Sequence, residues 1–297
     1  MVKPVIKWVG GKTQIIELVL KKFPEEINDY HEIFLGGGSV LLGLLQDTRI
    51  KVKGKYHAYD NNEGLIGMYK NIQKNPEELW NTIDCIIKEF DTCKEGAVNR
   101  KSKTISEALE CKENYYYFSR RLFNEIKDKT SVLYSALFIF LNKTCFRGLY
   151  REGPNGFNVP YGHYKNCGIL DKEHLLDLSK LIISVVFKCC KFENSMDKAK
   201  NVNDFVYLDP PYYKEKKNSF VGYNKDGFDE EQHELLFEKT KNLQCNFLMS
   251  NSDTTVVKEA FKDFEIDTFS CKRSINSKNP SSKTNDVLIK KNLTLYV

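Results

Sequence analysis

Asp209-Pro210-Pro211-Tyr212 sets a carboxylate, a stiff backbone and an aromatic face side by side. The run follows Phe205-Val206-Tyr207-Leu208, a short apolar stretch that reads as a buried strand. Neither proline has an N–H to donate, so the chain must leave the sheet extended, its carbonyls turned into the crevice beyond the strand end. In open α/β sheets that crevice binds ligands. The Asp and a fixed carbonyl can accept hydrogen bonds from a planar amino group while the ring stacks on its plane. The competing reading is a plain strand-to-loop turn, because Asp-Pro is ordinary turn chemistry.

Four further groups could do chemistry. Phe34-Leu35-Gly36-Gly37-Gly38-Ser39 lets backbone approach a ligand closely, although glycine turns serve packing at least as often. Asp60 lies roughly 20 residues on, the spacing of the acidic residue that grips a ribose in nucleotide-binding sheets. A helix N-cap is its alternative role. Lys7-Trp8-Val9-Gly10-Gly11-Lys12 resembles the end of a phosphate loop, but Ile6 stands where that loop needs its first glycine. An NTPase is therefore rejected. A clamp for a ligand with a carboxylate and a purine, or an ordinary turn, remains. Asn142 to Arg151 mixes Lys143, Arg147 and Arg151 with Phe146 and Tyr150, a composition suited to phosphate contacts, guanine reading and base-stack insertion, although charged, aromatic loops are common without such a role. The five histidines are isolated and none pairs at metal-ligand spacing, so no metal is expected.

The elements that must position these groups follow one grammar of strand, special loop and helix. Tyr30 to Phe34 precedes the glycines and an apolar helical run from Val40 to Leu45. Tyr56 to Tyr59 precedes Asp60 and a helix from Glu63 to Lys74. Asn246 to Met249 ends at Ser250-Asn251-Ser252-Asp253, whose capping residues should start a helix over Thr254 to Phe261. Such alternation predicts a mostly parallel sheet with helices on both faces. Between them, Glu77 to Phe90 and Ser106 to Ile126 read as amphipathic helices, Asp91 to Thr104 as a mobile polar loop, and Ser131 to Leu141 as a buried helix.

Of the 297 residues, 41% are hydrophobic and 29% charged, enough apolar content for a core and too much for disorder. A net charge of +5 permits a polyanionic partner without requiring one. The nine cysteines include no Cys-x-x-Cys pair, so reduced thiols in an intracellular, reducing compartment are expected. Lys3 and Lys7 interrupt the first apolar stretch, and Val132 to Leu141 is too short to span a bilayer; a soluble protein is expected.

In this order the motifs resemble the Dam-type DNA adenine-N6 methyltransferases. The likeness runs from Lys7-Trp8-x-Gly-Gly-Lys12 through Phe34-x-Gly-x-Gly-Ser39, Asp60 and Asn142–Tyr164 to Asp209-Pro-Pro-Tyr212. Gly156-Phe157-Asn158-Val159-Pro160-Tyr161-Gly162-x-Tyr164 is similar to that family's recognition segment, and Met249 to Thr254 with Arg273-Ser274-Ile275 to its tail. The resemblance implies a Rossmann-like methyltransferase sheet, residues 1–62 and 171–297, with an inserted helical target-recognition domain, residues 63–170. It implies S-adenosylmethionine as cofactor, held by Trp8, Lys12, Phe34, Gly36, Gly38, Ser39, Asp60, Phe192 and Asp209. Asp209, Pro210, Pro211 and Tyr212 would be catalytic. It implies duplex DNA, GATC in the best-known members, met by Lys7, Phe146, Arg147, Leu149, Arg151, Asn158, Pro160 and Tyr164. Arg151 would read a guanine and Phe146 would intercalate. Lys191 stands where an acidic residue facing the cofactor adenine is expected, with Glu193 as the substitute. Two other readings fit parts of the pattern: a methyltransferase for an amino group in RNA or protein, and a catalytically silent DNA-binding protein. The oligomeric state is not set by the sequence.

Overall fold

The computed structural model describes residues 1–165, 167–213, 228–272 and 283–291. Seven strands form the central sheet: β1 (Tyr30–Glu32), β2 (Tyr56–Asp60), β3 (Val185–Cys189), β4 (Phe205–Leu208), β5 (Asn246–Ser252), β6 (Glu265–Lys272) and β7 (Lys283–Lys291). Their spatial order is β6-β7-β5-β4-β1-β2-β3. All neighbours run parallel except β7, which is antiparallel to both β5 and β6. The chain moves outward from β1 to β3, then returns to lay β4 on the other side of β1. That reversal opens a crevice at the carboxyl ends of β1 and β4, where α/β sheets bind ligands. The glycine loop leaves β1 there, and Asp209 leaves β4.

Alternation along the strands separates two apolar cores. Tyr30, Ala58, Phe205, Tyr207, Leu248 and Leu288 belong to one, and Val206, Leu208, Phe247, Met249, Val287 and Ile289 to the other. The first core continues into a helical region. Helix α1 (Ser39–Leu45) follows the glycine loop, and α2 (Glu63–Lys74) follows Asp60. Asn62 caps α2, its side chain accepting a hydrogen bond from Leu65 N at 2.9 Å, while Tyr69 of α2 stacks on Phe187 of β3 at 5.2 Å. Then come α3 (Pro76–Asp91), α4 (Lys112–Glu125) and α5 (Val132–Thr144). Helix α5 is almost wholly buried because α2, α3 and α4 all pack on it. A hairpin of Glu152–Gly153 with Gly156–Phe157 closes the region.

Three expectations are corrected. The helix foreseen over Ser106 to Ile126 breaks into Ile105–Ala108 and α4, because Cys111 is extended (φ −159°, ψ 159°) and bridges to Glu95. The polar stretch before it is tied down: Asn99 N donates to Asn114 Oδ1 at 2.6 Å, Asn114 Nδ2 to the Ala97 carbonyl at 3.1 Å, and Arg121 to the Ser102 carbonyl at 2.5 Å. Strand β5 runs on through Ser252, since β7 continues the ladder beside it, and Thr254 is the cap of the following helix, Thr255–Ala260. Arg273, Ser274 and Ile275 lie outside the described residues. The eight cysteines from Cys85 to Cys245 are free thiols. Among the described residues no helix is long and apolar enough to cross a membrane.

Candidate active site

Asp209 sits one residue beyond β4, its side chain 19% exposed. Lys12 reaches it from the N-terminal segment, Nζ donating to both carboxylate oxygens at 2.5 Å and to the Gly10 carbonyl at 2.8 Å. The same ammonium lies 5.2 Å from the centroid of the Tyr212 ring. An N–H donor is thus held by the carboxylate beside the aromatic ring. Burial pushes the Asp209 pKa up, the Lys12 charge pulls it down, and Asp286 adds a smaller upward push. The loop is secured beyond the tetrad. Tyr213 N donates to Asn251 Oδ1 at 3.1 Å, and Ser252 Oγ donates to the Tyr213 carbonyl at 2.6 Å.

The second half of the crevice is the glycine loop. Gly36 and Gly38 have φ of +49° and +69°, where a side chain is strained. A Cβ on Gly36 would come within 2.7 Å of the Trp8 indole, and one on Gly38 within 2.6 Å of the Tyr69 hydroxyl. Asp60 faces this loop, Oδ2 accepting from Gly36 N at 3.0 Å and Oδ1 from Asn62 N at 2.9 Å. The α2 cap is Asn62, so the capping role weighed for Asp60 belongs to its neighbour. Burial raises the Asp60 pKa and the backbone donors Gly36, Asn62 and Asn61 lower it. Ser39 Oγ accepts from Lys12 N at 2.9 Å. Phe34 stacks on the buried Phe192 at 5.9 Å. Lys191 is exposed, whereas Glu193 holds a buried Oε2 with no hydrogen-bond partner.

The basic, aromatic segment forms a separate surface joined to this crevice through residues 7–12. Asn142, 2% exposed, clamps the two: its Oδ1 accepts from Lys7 N at 2.7 Å, and its Nδ2 donates to the Lys7 and Gly148 carbonyls. Phe146 and Tyr164 are 45% and 37% exposed. Arg147 takes φ +59°, with its N donating to the Tyr164 hydroxyl at 2.8 Å and its guanidinium 5.2 Å from the Phe146 ring. Lys7 Nζ lies 5.6 Å from the Tyr164 ring. Arg151 Nε donates to Asn158 Oδ1 at 2.5 Å. Leu149 is half-buried and Pro160 exposed, the Pro160 carbonyl accepting from Phe146 N at 2.8 Å.

Glu32 was not foreseen from the sequence. It is 2% exposed, accepts a hydrogen bond from Tyr30 Oη at 2.7 Å, and has its pKa raised to about 8. Burial is the main cause, and the Asp209 charge adds to it. The signal was present: an acidic residue inside an apolar strand is an anomaly that calls for a partner.

The strand order and the crevice define a Rossmann-like methyltransferase fold. A family model of D12 class N6 adenine-specific DNA methyltransferases matches residues 8–275, and the chain belongs to that family. It is an adenine-specific DNA methyltransferase. The chain is 37% identical to the type II methyltransferase M.MjaIII of Methanocaldococcus jannaschii, over 95% of this chain and 96% of the relative. It is 29% identical to the DNA adenine methylase of Haemophilus influenzae, over 95% and 90%, and 28% identical to that of Escherichia coli, over 96% and 93%.

Proposed function

We propose that this enzyme transfers the methyl group of S-adenosylmethionine to N6 of an adenine flipped out of duplex DNA, at GATC or a closely related site. The observation that carries the reading is the Lys12 ammonium on Asp209 beside the Tyr212 ring. A carboxylate that already holds an N–H donor next to an aromatic face is built for an amino group on a flat ring. The two readings in which DNA adenine is not the substrate fall with the family assignment.

The crevice fits the cofactor. The Gly36–Gly38 turn leaves a backbone cradle, Asp60 presents a carboxylate to ribose hydroxyls, and the unpaired Glu193 Oε2 can accept from an adenine amino group. Trp8, Lys12, Phe34, Ser39 and Phe192 complete the wall. When bound, S-adenosylmethionine supplies a methyl group already activated on a sulfonium. The protein has to present a nucleophile. The adenine amino lone pair is conjugated into the ring, and accepting its two hydrogens on Asp209 and the Pro210 carbonyl favours a pyramidal nitrogen with that pair free. Pro211 keeps the loop extended, and Tyr212 stacks on the base. Lys12 must leave Asp209 when the amino group arrives.

Flipping the base costs a few kcal/mol, which DNA contacts have to offset. Residues 63–170 form the recognition part. Lys7, Arg147 and Tyr164 meet the backbone, Phe146 wedges into the stack, and Arg151, aimed by Asn158, reads a guanine with Leu149 and Pro160 beside it. The substrate places the enzyme in the compartment that holds its DNA. Methylation of a mixed duplex library, followed by mapping of modified adenines, tests the assignment. GATC fails if another context is modified. The mechanism fails if no adenine N6 is modified when S-adenosylmethionine is present.

A further inference from the structure

Two histidines distant in the chain lie side by side at the other end of the sheet. His31 of β1 and His57 of β2 are register partners, so both rings leave the same face, stacked at 4.8 Å with planes 15° apart. Asp60 and Asp209 lie at the carboxyl ends of their strands, whereas each of these histidines is the second residue of its strand. Asp29, just before β1, lays Oδ2 3.3 Å from His57 Nε2, while Lys55 N donates to its Oδ1 at 2.7 Å. Asp204, just before β4, holds Oδ2 3.8 Å from His31 Nε2. Tyr59 Oη lies 3.5 Å from His31 Nδ1. One nitrogen from each ring and one Asp29 oxygen fall within 4.8 Å of one another. His31 is 2% exposed, yet its Nε2 has no hydrogen-bond partner, and His57 Nδ1 has none either. Native proteins rarely leave two buried ring nitrogens unpaired, and an unpaired buried group calls for a water or an ion.

We propose that Asp29, His31 and His57 form a site for a divalent transition metal, with zinc the best-matched ion and Asp204 or water as fourth donor. Imidazole and carboxylate are the donors zinc accepts, at roughly 2.0–2.2 Å in a tetrahedron, which sets donors about 3.4 Å apart. The three groups must therefore close in by up to about 1.4 Å per pair. His31 is fixed in the core, but Asp29 and His57 lie nearer the rim, with side chains 30% and 15% exposed, and can turn toward it. Lys55 N holds the Asp29 carboxylate in orientation from outside, as backing groups do at metal sites. The alternative is an ion-free network in which Asp29 merely orients His57. It leaves both ring nitrogens unpaired.

The test is zinc titration of tag-free protein stripped with a chelator, followed by calorimetry, beside His57→Ala and Asp29→Asn. One zinc ion should bind per chain, at least about tenfold more weakly in each variant. Cobalt substitution should give a tetrahedral spectrum without a thiolate charge-transfer band. Retained cofactor binding and an unchanged melting curve in chelator would show that a variant is folded; should one fail this control, the cobalt spectrum of the wild type decides alone. No zinc binding by the wild type, equal binding in folded variants, or a thiolate band would each overturn the site.

Discussion

Asp209 carries a charge that burial and Asp286 oppose and Lys12 supports, so its state depends on which donor occupies it. In the proposed mechanism Asp209→Ala leaves the target amino group without its acceptor, and it should lower the single-turnover methylation rate by at least about a hundredfold, a few kcal/mol in the transition state. Near-normal turnover would discard the mechanism. Glu32 gives a second, opposite kind of prediction. Its folded pKa of about 8 exceeds the ordinary carboxyl value, so the folded chain holds a proton that the unfolded chain has already lost. Stability from this group is therefore fully present below pH ~4.5 and declines as pH rises towards 8. Glu32→Gln keeps an acceptor for Tyr30 and removes the titration. The melting temperature of the variant relative to wild type should climb between about pH 5 and 8. A flat difference across that range would mean that Glu32 titrates normally.

At the scale of elements, the glycine loop and the recognition hairpin can be broken separately. Gly38→Ala places a Cβ in the left-handed region against the Tyr69 hydroxyl, which donates to the Gly37 carbonyl. Strain of about 1–2 kcal/mol should appear as lost stability and as weaker S-adenosylmethionine binding in calorimetry, with DNA affinity much less affected. Asn158→Ala removes the side-chain acceptor of Arg151 Nε. If Arg151 reads guanine, duplexes substituted at that base should be methylated with discrimination reduced by roughly 1–3 kcal/mol. Uniform weakening over all substituted duplexes would make Arg151 a phosphate contact instead. These elements were legible in the sequence because each is local: a strand ended by prolines, a glycine turn, a helix starting at Glu63, although its cap is Asn62 rather than Asp60. The break at Cys111 was not, because it depends on pairing with Glu95. Nor was the His31–His57 pair, which exists only once β1 and β2 are in register.

Across the whole molecule, the alternation of strand, loop and helix in the sequence led to the sheet and its crevice, and the ordered motifs to the family, whose match covers residues 8–275. Side-chain choices within the crevice were less accessible. The sequence placed Lys12 beside a cofactor, and the structure puts its ammonium on Asp209. Asn142 acts through Lys7, far along the chain, and Glu32 feels the charge of Asp209 although its hydrogen-bond partner Tyr30 is two residues away; nothing beside either residue announces the distant partner. The first core is likewise shared, running from β4 to α5 without a seam. Residues 7–12 cross every part. Lys7 approaches Tyr164, Trp8 lies against the glycine loop and stacks on Tyr150 at 5.3 Å, and Lys12 holds Asp209.

On the proposed sites, that short segment makes the two ligands thermodynamic neighbours. DNA acting on Lys7 or Tyr150 would then be felt at Trp8, and so would a cofactor in the glycine loop. Occupancy of one site should therefore alter affinity for the other, and linkage requires the factor to be the same in both directions. S-adenosylmethionine titrated with and without cognate duplex, and duplex titrated with and without the cofactor product, measures that factor. Couplings between sites are typically 5–150-fold, and Trp8→Ala should bring this one towards unity while each ligand still binds alone. Independent binding in the wild type would show the segment to be a passive strap.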